Sequence, residues 1–158
     1  MRKLTIVASS LALLLMMSGV ALSAPCTSPG SIVSVILSSS GQFEYVTFKM
    51  KKPLNSNYGS SVTTAFPVFK EEPSDNPVTV VGPKYKKITF TGISWTCSIA
   101  ENLSVPKMTV KDIKRLEQDE GIVVYVVGYK QTATKYYVST TVSNTGSNRF
   151  VKMKFRRY

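Results

Sequence analysis

Positive side chains are the chemistry this chain holds in quantity, and they recur in three groups. Lys49, Lys51 and Lys52 end one run, Lys84, Lys86 and Lys87 surround Tyr85, and Lys152, Lys154, Arg156 and Arg157 close the chain. Across 158 residues, 20 Lys and Arg face 9 Asp and Glu, for a net charge of +11. A field of that size attracts anionic partners over distance. Side chains two apart on a strand share a face, so Lys152, Lys154 and Arg156 would form a cationic row about 13 Å long. Such a row could track an anionic polymer. It also has a plainer use, because an alternating strand must place something polar in water and Lys at a sheet edge blocks pairing with other chains. Tyr85, Tyr129, Tyr136 and Tyr137 lie near Lys84, Lys130 and Lys135, a mixture that suits stacking on sugar rings or simply the rim of a core.

The residues that commonly carry acid, base and metal chemistry are scarce. Histidine is absent from the whole chain, which removes most hydrolase designs. The acids gather in Glu71, Glu72 and Asp75 and in Glu117, Asp119 and Glu120, where charged runs usually mean solvated surface rather than a glycosidase pair. With no histidine and two distant cysteines, a zinc site would need carboxylates alone. No Gly-rich phosphate loop and no nucleic-acid recognition motif is present. A non-enzymatic protein without cofactor, metal site or sequence-specific nucleic-acid contact is expected.

The start of the chain has the layout of a cleavable secretory signal: Arg2 and Lys3, an apolar stretch from Leu4 to Met17, then Ser18, Gly19, Ala21, Ser23 and Ala24. The apolar run is shorter than the roughly 20 residues a membrane span needs, and no positive stop-transfer cluster follows it. Residues 1–23 are therefore read as a signal peptide, with cleavage after Ser23 and no transmembrane anchor in the mature chain. A lipid-modified Cys26 is disfavoured because Pro25 stands where a small residue is normally needed. The secreted or periplasmic product, residues 24–158, is one domain's worth of chain. In an oxidising compartment Cys26 and Cys97 are expected to form a disulfide, with two free thiols as the alternative.

The elements that must position the lysines read as strands. A first runs from Ser31 to Leu37. In the second, Val46, Phe48 and Met50 alternate with Tyr45, Thr47, Lys49 and Lys51, the period of a half-buried strand. Leu54 to Pro77 reads as a long loop or hairpin region with a short apolar piece around Phe66, Val68 and Phe69. Val78 to Val81 resumes order. Ile88 to Ile93 reads as a central strand continuing in phase to Trp95 and Cys97. Thr109 to Gln118 is the one helix candidate, with Val110, Ile113 and Leu116 at helical spacing. Ile122 to Val127 reads as a buried central strand, followed by strands at Tyr136 to Val142 and Phe150 to Tyr158. Seven or eight strands at this spacing argue for an all-β fold, an antiparallel sandwich or barrel, with at most one short helix near residues 109–118.

Two stretches resemble the AMIN-like domain of secreted bacterial proteins. Ile32 to Met50 (IVSVILSSSGQFEYVTFKM) is similar to the family's opening strand, glycine turn and Val-x-Phe strand; Glu120 to Phe155, with EGIVVYVVGY and NRFVKMKF, is similar to its later strands. Phe43 and Glu44 stand where the family commonly has Asp-Arg, and Lys152 or Lys154 where it has an Asp. The resemblance implies a non-catalytic β-sandwich at the cell envelope with peptidoglycan as ligand, and carries over no functional residue.

Together these readings anticipate an exported module that adheres to peptidoglycan or another anionic surface polymer through Lys49, Lys51, Lys84, Lys86, Lys87, Lys152, Lys154 and Arg156. The alternative is a secreted protein-interaction factor, an inhibitor, adhesin or effector, that uses the loop at 54–77 to meet a protein partner.

Overall fold

The computed structural model describes residues 28–52, 58–96 and 107–158, and every regular element among them is a strand. The expected signal peptide, Cys26 and Cys97 lie outside the described residues. Five strands form one sheet in the order β10(Tyr136–Thr145), β11(Asn148–Arg156), β2(Phe43–Lys51), β1(Ser31–Ser40), β7(Trp95–Thr96). Four form a second in the order β3(Gly59–Ala65), β6(Lys84–Thr91), β9(Ile122–Tyr129), β8(Val110–Asp119). β4(Phe69–Glu71) and β5(Asn76–Val78) pair only with each other, as a two-stranded hairpin packed on the four-stranded sheet. Pairing is antiparallel except for the short contact of β7 with β1. The sheets pack as an open sandwich, so of the two expected architectures the closed barrel is not formed.

The alternating runs dictate the packing. Val46, Phe48 and Met50 of β2 and Val151, Met153 and Phe155 of β11 are fully buried. They meet Ile88 and Phe90 of β6 and Val123, Tyr125 and Val127 of β9 in one core. Phe48 stands 5.1 Å from both Phe90 and Tyr125, ring centre to ring centre. The unbroken apolar run of β9 has two destinations. Its other phase, Val124 and Val126, points away from the first sheet and joins Phe69, Val80 and Leu116 in a second cluster beneath the β4–β5 hairpin. A strand buried on both faces needs no polar phase.

The segment expected to be helical is strand β8, and two bulges account for its helical spacing. Register shifts fall between Val110 and Asp112 and between Arg115 and Glu117. An inserted residue puts Val110 and Ile113 on the same face although they are three apart, and both join the inter-sheet core. Leu116 turns to the outer cluster. Bulged strands thus produced a helical spacing. Asp112 sits at the first bulge, 1% exposed, where its carboxylate accepts from the Ile113 N–H at 2.9 Å and the Val81 N–H at 3.0 Å.

Three further expectations are corrected. The described part of 54–77, expected as a loop or hairpin region, does hold a hairpin in β4 and most of β5, but it also holds the unexpected strand β3, which was hidden because an edge strand of sequence GSSVTTA carries one large apolar side chain, Val62. The segment 78–81 leaves strand geometry after Val78. The Ile88 strand begins earlier, at Lys84, and ends at Thr91, because Gly92 adopts φ +73°. Past that turn Ile93 is redirected into the core at 3% exposure rather than continuing outward.

One charged group lies between the sheets. Glu44 shares the inward phase of Val46 and Phe48 and is 1% exposed. Its carboxylate accepts from the backbone N–H groups of Met108 (2.9 Å), Thr109 (3.0 Å) and Val110 (2.8 Å), and the Arg157 guanidinium is 3.8 Å away. Thr109 reinforces the junction by donating its hydroxyl to the Arg156 carbonyl at 2.8 Å. Replacing Glu44 with alanine strands these donors, and such losses typically cost about 3–5 kcal/mol; the urea unfolding midpoint of Glu44→Ala is expected to fall accordingly. Gly128 is constrained differently, since a Cβ there would lie 2.1 Å from the Val81 carbonyl oxygen. Gly128→Ala is expected to destabilise by about 1–3 kcal/mol or more by forcing two backbones apart, read in the same denaturation experiment.

Candidate anion-binding surface

Strand period decides where the lysines go. On β2 the even-numbered residues Glu44 to Met50 face the core, so Phe43, Tyr45, Thr47, Lys49 and Lys51 face away from it, although Thr47 is covered to 9% exposure on that face. On β11 the buried residues are Val151, Met153 and Phe155, which turns Phe150, Lys152, Lys154 and Arg156 outward. The two strands are neighbours, with Phe150 opposite Lys49, Lys152 opposite Thr47, Lys154 opposite Tyr45 and Arg156 opposite Phe43. Lys49, Lys51, Lys152, Lys154 and Arg156 therefore share the outer face of the five-stranded sheet. Its flanks are uncharged: Ser34, Ile36 and Ser38 oppose β2 from β1, and Ser139, Thr141 and Ser143 oppose β11 from β10. The described Asp and Glu side chains lie elsewhere, with Glu44 turned inward and the rest on β8, its turn or the β4–β5 hairpin.

Aromatic rings support these cations. The Lys154 ammonium lies 3.8 Å from the ring centre of Phe43, and that of Lys152 lies 5.3 Å from Tyr45. The two rings are 6.4 Å apart. A ring face attracts an ammonium by about 0.5–1 kcal/mol at an exposed site, which limits the freedom of a long side chain without cancelling its charge. Arg156 is tied more closely, through Nε to the main-chain oxygen of Tyr158 at 3.0 Å and through its terminal nitrogens to the Tyr136 hydroxyl and the Gln42 side-chain oxygen, both at 3.4 Å. Phe43 and Tyr45 were not singled out from the sequence as part of this surface. Their shared phase with Lys49 and Lys51 was the available signal.

The remaining predicted positions do not join this face. Lys84 and Lys86 have the core-facing phase of Ile88 but sit at the mouth of the sandwich, lining a cleft with Tyr129, Tyr136 and Tyr137. Lys87 has the opposite phase, beside a depression lined by Phe66, Val68 and Leu116. Tyr85 packs edge-on against Phe69 at 4.9 Å in the outer cluster, so its role is packing. Glu71 and Glu72 border a shallow cavity of about 330 Å³ with Arg115 and Gln118. Among the described residues, no group of three His, Cys, Asp or Glu could hold a metal ion, and no helix is long and apolar enough to cross a membrane.

A further cation–ring contact lies near the other end of β11, where the Arg149 guanidinium covers the Tyr58 ring at 4.1 Å. Burial pushes the Tyr58 phenol up to about 12, against the opposing effects of the Arg149 charge and the nearby Ser60 side chain. Searches against protein-family models, curated proteins and solved structures find no match for this chain.

The Tyr58 environment yields a pH dependence. Between the ordinary phenol value of 10.0 and about 12, the folded chain retains a proton that the unfolded chain releases. Stability from this group is complete below the lower value and is lost as pH rises through the higher one. In Tyr58→Phe that component of the alkaline loss is expected to vanish. Denaturant midpoints measured across this interval, with the phenolate absorbance titration alongside, check it.

Proposed function

We propose that this is an exported, non-catalytic envelope module that adheres to peptidoglycan or another anionic surface polymer through the outer face of its five-stranded sheet. The observation that carries the reading is the sharing of that face by Lys49, Lys51, Lys152, Lys154 and Arg156 with Phe43 and Tyr45, without a described Asp or Glu side chain among them. Charges on one strand recur about every 6.8 Å, and neighbouring strands lie about 4.8 Å apart. The resulting grid is open and repeats in two directions, which suits an extended polyanion better than a single compact ion. Hydroxyls of β1 and β10 supply hydrogen bonds at its margins, and exposed ring edges supply apolar contact for sugar faces. The similarity of Ile32 to Met50 and of Glu120 to Phe155 to AMIN-like domains points the same way, as does the signal-like opening of the chain.

One observation favours a second reading, a protein-interaction factor. Phe66 and Val68 are 76% and 83% exposed, at the tip between β3 and β4, beside a depression of about 450 Å³ that also includes Phe69 and Leu116. Exposed apolar side chains adjacent to a cavity are typical of a protein contact. This tip belongs to the segment expected to serve that purpose, and it lies apart from the lysine face.

Co-sedimentation with purified sacculi over a salt series separates the two. Retention is expected at low ionic strength, falling as salt screens the exposed charges. Lys152→Glu combined with Lys154→Glu should abolish retention, whereas Val68→Ser, at the exposed apolar tip, should preserve it. Failure to sediment at any salt concentration, or loss only in the Val68 variant, would overturn the adhesion reading.

A further inference from the structure

At one end of the sandwich the core-facing phase of β6 changes character. Phe90 and Ile88 are fully buried, but the next two positions of the same phase are Lys86 and Lys84. On β9 the core phase ends in Tyr129, and the facing strand β10 begins with Tyr136 and Tyr137. The sheets do not close over this end with an apolar layer. They leave a cleft of about 510 Å³ lined by Thr64, Phe66, Lys84, Lys86, Tyr129, Gln131, Tyr136 and Tyr137, within the roughly 300–1,000 Å³ of small-molecule sites. Two ammonium groups line it and no carboxylate does.

The lining is ordered by its own contacts. The Lys86 ammonium donates to the Thr64 hydroxyl at 2.9 Å and lies 4.9 Å from the centre of the Tyr137 ring. The Tyr137 hydroxyl is bonded to that of Thr140 at 2.9 Å, and the Tyr129 hydroxyl donates to the Gln131 side-chain oxygen at 3.3 Å. Burial, followed by the neighbouring Tyr137, raises the Tyr129 phenol above its ordinary value, so it remains a neutral donor. Lys84 has no ion-pair partner among the described residues and is exposed at the rim.

We propose that this cleft is a second binding site, for a sugar unit that carries a carboxylate. The ammonium groups of Lys84 and Lys86 match the carboxylate. Phenol, carboxamide and threonine groups match the ring hydroxyls, and the rings of Phe66 and Tyr136 cover the apolar side of a pyranose. A bare inorganic anion would use the lysines and leave the rings idle; a neutral sugar would leave two cations without a counter-charge. The site does not depend on the outer lysine face, because Lys152 and Lys154 line no part of it.

The test uses digalacturonate as probe, its methyl ester as the uncharged counterpart, and inorganic phosphate as the bare anion. Backbone amide shifts of the purified protein locate each one. Digalacturonate is expected to perturb Lys84, Lys86, Tyr129, Tyr136 and Tyr137, and to bind about tenfold more tightly than its ester, the size of one or two partly exposed ion pairs. Lys84→Gln, at an exposed position, should remove much of that difference and leave the ester unaffected. Lys152→Glu combined with Lys154→Glu should leave cleft binding intact even where adhesion to sacculi is lost, so the two readings can fail separately. Equal binding of phosphate and digalacturonate, equal binding of ester and acid, shifts confined to the outer face, or no binding at all would each overturn the proposal.

Discussion

A buried carboxylate closes one corner of this sandwich, and the accessible chemistry of the molecule follows from what it leaves open. Glu44 projects from β2 toward the other sheet and gathers the backbone donors of residues 108–110 at the start of β8. An ionised group in that position is tolerable only because several donors and a nearby guanidinium replace its water. The contact fixes the separation of β2 and β8. Along the same end of the molecule, Tyr129 of β9 packs on Phe155 of β11 at 5.4 Å, and beyond them Lys86 of β6 meets Tyr137 of β10 across a wider gap. The end is thus clamped on one side and open on the other. The opening lies toward the edge strands β3 and β10, whose many serines and threonines provide few large side chains to fill it.

Strand β9 is the second fixed point. Its inward phase supplies the inter-sheet core and its outward phase supplies the cluster under the β4–β5 hairpin. The segment 80–82 crosses it so closely that neither Gly82 nor Gly128 has room for a Cβ; one added at Gly82 would lie 2.7 Å from the Tyr129 nitrogen. Asp112 secures the same crossing by accepting the Val81 N–H. Such a crossing turns the chain into β6 at Lys84 and thereby sets the lysines of β6 at the mouth. Backbone proximity at glycine positions, rather than any property of the lysines, determines that they line a cleft.

Strands with one dry face were legible because their period is imposed by burial. Val46, Phe48 and Met50 on β2 and Val151, Met153 and Phe155 on β11 alternate without interruption, and both strands occur where their patterns indicate. β9 was legible for a different reason, since a continuous β-branched and aromatic run has no polar phase to hide. What failed were places where local geometry broke the period. The bulges of β8 imitated helical spacing, Gly92 ended a strand whose alternation continued on paper, and β3 had too little apolar content to announce itself. The basic surface was half legible. Alternation assigns Lys49, Lys51, Lys152, Lys154 and Arg156 to outward positions, but their union requires that β2 and β11 be neighbours, a pairing of chain segments about 100 residues apart that no local pattern encodes.

The separation of the lysines into an outer group and a recessed group has a physical consequence for recognition. On the outer face the ammonium groups project into water, where each contact with an anion is weak, screened by salt and tolerant of position. Affinity there must come from repetition, and selectivity among polyanions is correspondingly low. In the cleft, the charges number only two but are bordered by rings that exclude water from one side of a ligand, so shape and hydroxyl pattern contribute as well as charge. The two surfaces meet near Arg156, whose guanidinium belongs to the outer face of β11 and contacts the hydroxyl of Tyr136 at the cleft wall. A polymer lying along β2 and β11 would pass within reach of the mouth at that corner. Adhesion by the grid would then raise the local concentration of sugar units at the cleft, which converts weak individual binding into effective capture without any new contact.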